Sequence, residues 1–187
     1  MIGIINYYPT LKETKYLTHA MDLLGYKYRV YGYENVFQRI RDSSITHWIF
    51  SGSPISVCGE DSPQIPMELY TLKDKRYMMI CYSMESVLLQ LGFPIRKRYE
   101  NRREYFTIAL PPAARSLYLF KGIQSPMRLQ RNHLRYIPAS SLDGILSYNG
   151  ESMMVLYKNS VLVQFHPEKT GDGRKMILNW IQQDIKV

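Results

Sequence analysis

The chain has 187 residues, 45% hydrophobic and 21% charged, a composition typical of globular proteins that argues against intrinsic disorder. Its two cysteines are too few for a disulfide framework, so we expect free thiols, a reducing setting and a cytoplasmic protein. No apolar run approaches the roughly 20 residues needed to span a bilayer, no signal-peptide pattern opens the sequence, and no cysteine–histidine cluster has zinc-ligand spacing. We therefore expect neither membrane association nor a bound metal.

The net charge is +8, from 24 basic and 16 acidic residues, and part of the excess lies in 96–98 and 102–103. One interpretation is a surface for nucleic acid or another polyanion. The other is a solvated basic face, or a docking surface for an acidic partner. No nucleic-acid-binding motif accompanies the charge, so we favour the second interpretation and do not expect a nucleic-acid partner.

In the first half of the chain, short apolar runs alternate with helix-like stretches. The runs that predict strands are 2–8, 28–33, 47–50 and 77–81. The stretches that predict helices are 12–24, 34–41, 64–73 and 84–91. Strands and helices alternating at this spacing favour a parallel sheet with crossover helices.

The second half changes character. Strand-like runs follow one another at 103–110, 127–136, 144–148, 153–157 and 161–165. Asn149-Gly150 predicts a tight hairpin turn, and 172–185 predicts a final helix whose apolar stripe includes Ile185. We expect residues 1–187 to form one α/β domain: a mostly parallel central sheet flanked by helices, with a smaller antiparallel element in the second half.

Cys81 stands where a predicted strand runs directly into a helix. Such a junction can lift a nucleophile clear of the sheet, and the positive end of the following helix is expected to lower the pKa of the thiol. The alternative is a small buried core residue, which free cysteine often is.

His166 ends another strand because Pro167 disfavours a helical conformation in the residue before it. Glu168 can then reach the imidazole and orient it, as a carboxylate does in a catalytic triad. The alternative is a histidine and a glutamate exposed in a surface loop.

Three segments together resemble motifs of the class I (triad) glutamine amidotransferases, most closely the glutaminase domain of GMP synthetase. Ser51-Gly52-Ser53-Pro54-Ile55-Ser56-Val57 resembles Ser-Gly-Gly-Pro-x-Ser-Val, and Cys81-Tyr82-Ser83-Met84-Glu85 resembles the end of Gly-x-Cys-Tyr-Gly-x-Gln. Gln164-Phe165-His166-Pro167-Glu168 contains the family's His-Pro-Glu. The resemblance covers nearly the whole chain and implies a flavodoxin-like α/β fold.

The resemblance also implies an activity. Cys81 would attack the side-chain amide of L-glutamine, giving a γ-glutamyl thioester and ammonia. His166 would be the base and Glu168 its orienting acid, and the backbone N–H groups of Ser53 and Tyr82 would form the oxyanion hole.

The remaining implications concern ligands and partners. Gly52, Glu85, Asn132 and His133 would line the substrate site, although a purely structural His133 is an equal alternative. No cofactor is implied. Ammonia would pass to a separate ATP-dependent synthetase, with GMP synthetase as the leading candidate.

The chain departs from the family pattern at several positions. Met79, Ser83 and Ser53 stand where the family has glycine, Glu85 replaces a glutamine of the substrate pocket, and Leu134-Arg135 replaces the Gly-Asp of GMP synthetases. Two further hypotheses therefore stay open behind a glutaminase. One is a hydrolase of another amide or γ-glutamyl compound, and the other is a catalytically degenerate module that binds a partner.

Overall fold

The computed structural model describes residues 1–183, so Ile185, predicted on the stripe of the last helix, lies outside the described range. The strands are β1 (Ile2–Asn6), β2 (Tyr28–Gly32), β3 (His47–Phe50), β4 (Arg76–Ile80), β5 (Arg96–Ile108), β6 (Met127–Tyr136), β7 (Leu146–Tyr148), β8 (Glu151–Tyr157) and β9 (Ser160–Val163). The helices are α1 (Lys15–Leu23), α2 (Val36–Arg39), α3 (Tyr82–Gln90), α4 (Pro112–Arg115) and α5 (Gly171–Gln182).

The main sheet has the strand order β2-β1-β3-β4-β9-β8-β7. Strands β2, β1, β3, β4 and β9 are parallel, while β8 and β7 continue the sheet in antiparallel pairing. Strands β5 and β6 form a separate antiparallel pair. The predicted fold class, a mostly parallel α/β sheet with a smaller antiparallel element, is confirmed.

The central strands are covered on both faces, which explains their nearly continuous apolar runs. Every residue of β1, β3 and β9 is buried. On one face the core includes Ala20 of α1 and Met176 of α5, and on the other it includes Val36 of α2 and Val87 of α3. No helix within residues 1–183 is long and apolar enough to cross a membrane.

The hairpin prediction at Asn149-Gly150 is confirmed. Both residues have positive φ, 50° and 77°, and they connect β7 to β8. This is the backbone twist that a two-residue turn between antiparallel strands requires, and asparagine followed by glycine adopts it readily.

Three element predictions differ from the structure. The stretch 64–73 forms only a 3₁₀ helix, Met67–Thr71, and Pro66 disfavours a helical conformation in the residue before it. The helix predicted at 34–41 is reduced to Val36–Arg39. Strand β5 begins at Arg96 rather than at 103. The prediction missed its first half because the residues there are mostly charged and show no apolar alternation.

Candidate active site

The candidate site lies at the carboxyl ends of three strands that are neighbours in the sheet. Strand β4 lies between β3 and β9. The segment 51–54 follows β3, Cys81 follows β4 and the segment 164–168 follows β9. All three motifs singled out in the sequence therefore meet at one edge, where open α/β sheets bind their ligands.

Cys81 occupies a sharp turn between β4 and α3. Its backbone angles are φ 52° and ψ −106°, a region that non-glycine residues rarely enter and that costs about 1–3 kcal/mol. The turn is held by the Cys81 N–H, which donates to the carbonyl oxygen of Val163 on β9 at 2.7 Å. Helix α3 begins at the next residue, Tyr82, so the junction has the shape of a nucleophile elbow.

The departures near this elbow are accommodated by the packing. The hydroxyl of Ser83 is buried and donates to the carbonyl oxygen of Ser51 at 2.6 Å. Ser83 therefore links the start of α3 to the segment after β3. Met79, two residues before Cys81, is fully buried in the core on the α3 face of the sheet. Both side chains that replace glycine are thus fully buried beside the elbow.

The predicted histidine–carboxylate pair is formed. Nδ1 of His166 lies 2.8 Å from Oε1 of Glu168, and both side chains are buried. With Glu168 accepting from Nδ1–H, the ring presents Nε2 as an acceptor. Among the described residues Nε2 has no hydrogen-bond partner. The backbone N–H of His166 is held by the carbonyl oxygen of Gln130 on β6, at 2.8 Å.

Gly52 allows the nucleophile and the histidine to approach each other. A Cβ atom at position 52 would lie 3.1 Å from Cε1 of His166, 3.2 Å from Oη of Tyr8 and 3.5 Å from Cβ of Cys81. The first two distances are shorter than most carbon contacts in proteins. The three side chains converge on a space that only glycine leaves free.

A cavity of about 290 Å³ opens above Cys81. Its lining consists of Tyr8, Ser53, Pro54, Ile55, Cys81, Tyr82, Glu85, Asn101, Asn132, His133, Leu134, Arg135 and His166. The structure thus gathers nearly all the sequence-predicted site residues in one wall. Of the other two, Gly52 lies under the cavity beside His166, and Glu168 supports the far side of the imidazole.

Two lining residues lie outside every motif and departure that the sequence analysis named. Tyr8 follows β1, whose carboxyl end lies at the same edge of the sheet, so strand order alone could have indicated it. Asn101 lies in the charged half of β5 that the sequence did not reveal as a strand. No local signal marks that position.

Glu85 is a buried carboxyl group in the cavity wall. It is 5% exposed, and its Oε1 accepts a hydrogen bond from Nε2 of Gln164 at 2.9 Å. Burial raises the pKa of Glu85 to about 7, against the smaller opposing effects of Gln164 and of the Arg135 charge. Glu85 is therefore near half-ionised at neutral pH.

The thiol is not activated in the way the sequence suggested. Burial, followed by the nearby Glu85 carboxylate, raises the pKa of Cys81 well above its usual range. The Tyr82 backbone N–H opposes this shift but does not overcome it. The expectation of a lowered thiol pKa is therefore wrong for this resting arrangement, in which burial has the largest effect on the thiol.

His133 both lines the cavity and belongs to a buried charge network. Its Nε2 lies 2.8 Å from Oε2 of Glu151. Burial lowers the pKa of His133 to about 3, with the charges of Arg131 and Arg98 acting in the same direction. The ring is therefore neutral, and Nε2–H donates to Glu151. The adjacent Asn132 brings its backbone carbonyl oxygen within 3.8 Å of Sγ of Cys81.

This geometry agrees with a comparison against known families. The sequence model of the family "Glutamine amidotransferase class-I" matches residues 4–181. The chain belongs to the class I glutamine amidotransferase family. The resemblance inferred from three short motifs is thereby confirmed over almost the full sequence.

Curated relatives include bacterial enzymes named GMP synthase (glutamine-hydrolyzing). The one from Symbiobacterium thermophilum is 29% identical over 153 residues, covering 77% of this chain and 29% of the relative. The one from Clostridium tetani is 30% identical over 156 residues, covering 80% of this chain and 30% of the relative. The chain thus spans about 30% of the length of these relatives.

Solved structures share the same fold. A GMP synthase component from Thermoplasma acidophilum superposes with a TM-score of 0.68 at 17% identity. The match covers 96% of this chain and 91% of that one. A glutamine amidotransferase from Thermotoga maritima superposes with a TM-score of 0.65 at 12% identity, over 97% of this chain and 80% of that one. At these identities the likeness establishes the architecture of the fold.

Proposed function

We propose that this class I glutamine amidotransferase hydrolyses L-glutamine to glutamate and ammonia through a thioester on Cys81. The observation that carries the proposal is the strained elbow at Cys81, which faces the same cavity as the His166–Glu168 pair. A structural cysteine needs neither a positive φ nor a buried imidazole beside it.

The reaction would proceed in two displacements. Nε2 of His166 takes the thiol proton as Sγ of Cys81 attacks the amide carbon, and the proton is then given to the leaving ammonia. In the second displacement His166 takes a proton from water, whose oxygen attacks the thioester carbon. The carbon–sulfur bond then breaks, glutamate leaves, and His166 returns the proton to Sγ of Cys81. Glu168 holds Nδ1–H throughout and stabilises the imidazolium that forms.

The oxyanion formed in each step needs donors. We assign this role to the backbone N–H groups of Ser53 and Tyr82, which border the cavity on either side of Cys81. The Ser53 hydroxyl donates to the carbonyl oxygen of Tyr7 at 2.8 Å, which fixes the loop that carries its N–H. Loss of one such donor costs about 10²–10³ in rate. The substrate would rest against Gly52, Glu85, Asn132 and His133.

We further propose that the ammonia serves an ATP-dependent synthetase on a separate chain. The curated relatives are named GMP synthases, and the matched region is about 30% of their length, so a GMP synthetase is the leading candidate. Leu134-Arg135 borders the cavity where GMP synthetases have Gly-Asp. This difference is also compatible with a synthetase that uses another ammonia acceptor. The free thiols of Cys58 and Cys81 support a cytoplasmic location.

A second candidate function is hydrolysis of another amide or γ-glutamyl compound. The observation that favours it is the charged cavity wall, where Glu85 replaces a neutral glutamine of the family pattern. A panel of γ-glutamyl amides separates the two candidates, because L-glutamine is the best substrate of a glutaminase.

The test is an assay of glutamate and ammonia released from L-glutamine by the purified protein. We expect turnover that Cys81→Ala abolishes and that Cys58→Ala, at the exposed second cysteine, leaves intact. An active Cys81→Ala variant would contradict the thioester mechanism. If the isolated chain releases no ammonia, labelling by a glutamine-analogue electrophile decides. Selective labelling of Cys81 indicates a competent site, and equal labelling of both cysteines indicates a degenerate binding module.

A further inference from the structure

Two of the departures from the family pattern line the same cavity and can carry opposite charges. Glu85 reaches the cavity from the first turn of α3, and Arg135 reaches it from β6. The family residues at these places are a neutral glutamine and, in GMP synthetases, an aspartate. Relative to that pattern, the chain has a carboxyl group in place of the glutamine and a cation in place of the aspartate.

These two side chains influence each other without forming an ion pair. The Arg135 charge lowers the pKa of Glu85, so the groups are close enough to interact electrostatically. Yet among the described residues neither takes part in an ion pair within 4.0 Å. Gln164 holds Glu85 in place at 2.9 Å. The cavity lining thus holds a positioned carboxyl group and a guanidinium group that are not paired with each other.

We propose that Glu85 and Arg135 select the zwitterionic end of an α-amino acid substrate, with Glu85 binding its α-ammonium group and Arg135 its α-carboxylate. The inference rests on the proposed function, because it places the side-chain amide of the same molecule at Cys81. Guanidinium and carboxylate groups are suited to paired hydrogen bonds.

The buried position of Glu85 gives this assignment its physical basis. A carboxylate that is 5% exposed is poorly solvated, and an incoming ammonium group supplies the compensating charge that water cannot. Alone, the same carboxylate would repel the α-carboxylate of L-glutamine. Arg135 provides the opposite charge that allows both ends of the zwitterion to enter.

The proposal predicts a crossed pattern with three ligands. These are L-glutamine, glutaramate, which lacks the α-ammonium group, and 4-aminobutanamide, which lacks the α-carboxylate. Binding is measured by calorimetric titration of Cys81→Ala protein, in which no turnover occurs. When Arg135→Met is added to this protein, we expect the affinity for L-glutamine and for glutaramate to fall about tenfold. The affinity for 4-aminobutanamide should be unchanged. When Glu85→Gln is added instead, the affinity for L-glutamine and for 4-aminobutanamide should fall, and the affinity for glutaramate should be unchanged.

Matched controls are Arg96→Met and Glu100→Gln, exposed residues of β5 that lie outside the cavity lining. They should leave the binding of all three ligands unchanged, and thermal unfolding confirms that each variant is folded. Equal weakening of all three ligands would overturn the proposal, since a packing defect does not distinguish ligand charges. Unchanged L-glutamine binding in both variants would overturn it as well.

These titrations are independent of the test of catalysis. If the variants show the crossed pattern but the wild-type protein releases no ammonia, the proposal for Glu85 and Arg135 stands and the proposed glutaminase activity fails. If the wild-type protein releases ammonia but the variants lack the crossed pattern, the glutaminase activity stands and the proposal for Glu85 and Arg135 fails.

Discussion

The thiol of Cys81 starts from a protonated, buried state. Burial, followed by the charge of Glu85, disfavours the thiolate. The imidazole of His166 lines the same cavity and is available to accept the proton. In the proposed mechanism, activation therefore depends on proton transfer within the site and not on a pre-formed thiolate. A bound substrate that neutralises Glu85 would also make that transfer easier.

Replacing Glu85 with glutamine should make the thiol more reactive. The carboxylate raises the pKa of Cys81, so its removal lowers that pKa. We expect alkylation of Cys81 by iodoacetamide at pH 8.5 (about 1.5 above the pKa of Glu85) to accelerate roughly threefold to tenfold. The effect should fade below about pH 6, where Glu85 is already protonated in the wild-type protein.

Glu100→Gln serves as the control for this experiment, because Glu100 is exposed on β5. Mass spectrometry separates the labelling of Cys81 from that of Cys58. Identical alkylation rates for wild type and Glu85→Gln across the pH range would show that Glu85 does not govern the thiol.

Glu85 should also give the stability of the protein a distinct pH dependence. Its pKa is about 7 in the folded state against 4.5 as the reference value, so the folded protein keeps a proton that the unfolded chain releases. The sign follows: the free energy of unfolding falls as pH rises from 4.5 to 7, by up to about 3 kcal/mol from this group.

Urea unfolding at pH 5 and pH 8 tests this linkage. The free energy of unfolding of Glu85→Gln, relative to that of the wild type, should be higher at pH 8 than at pH 5. A difference that stays constant between the two pH values would refute it.

Residue identity and strand order were sufficient to predict which side chains lie near one another. Cys81, His166 and Glu168 could be brought together because each follows a strand of one parallel sheet. The pKa of the thiol could not be predicted in the same way. It depends on burial by β6, whose Asn132 approaches Cys81 from 51 residues away in the chain.

At the scale of elements, α5 is the support of the His-Pro-Glu turn. The Thr170 hydroxyl caps the helix by accepting from the N–H of Gly173 at 3.0 Å. A Cβ at Gly173 would lie only 2.2 Å from the carbonyl oxygen of Pro167. The first turn of α5 thus presses directly against the backbone between His166 and Glu168.

Gly173→Ala should therefore separate α5 from this turn. We expect a loss of about 3 kcal/mol in the free energy of unfolding and a larger proportional loss of ammonia release, because His166 shifts with Pro167. Gly171→Ala is the matched control in the same helix, with no atom within 4 Å of its added Cβ. Denaturant unfolding and the glutaminase assay measure both effects, and equal behaviour of the two variants would contradict this account.

Hydrophobic patterning predicted most strands and the main helices because the core requires apolar runs. It failed for the first half of β5, where Arg98 pairs with the buried Glu151 of β8. A charged residue satisfied by a distant partner has the same local pattern as a solvated one. Composition therefore assigned 96–98 to a basic surface, while the fold uses Arg98 internally.

At the scale of the whole molecule, buried charges join the β5–β6 pair to the main sheet. Arg131 of β6 is 1% exposed and lies between Glu104 of β5 and Glu151 of β8. His133 and Arg98 also contact Glu151. The cavity wall that carries Asn132 and His133 is held in place through this network.

Arg131→Met should weaken that connection. Removing one member of a buried charge network leaves its partners poorly compensated, so we expect a destabilisation of about 3–5 kcal/mol. Amide hydrogen exchange in β5 and β6 should rise more than in β1 and β3. Arg128→Met, at an exposed position of the same strand, is the control, and uniform exchange throughout the variant would argue against a local role.

The order of the strands has a consequence for the making of the protein. Strand β9 is the last strand of the described chain but lies inside the sheet, between β4 and β8. It holds the elbow through Val163 and leads directly to His166. Before a ribosome has translated β9, Cys81 has neither its base nor the neighbour that bends its backbone. On the mechanism proposed above, nascent or prematurely terminated chains therefore cannot release ammonia, and activity begins only when translation of the sheet is complete.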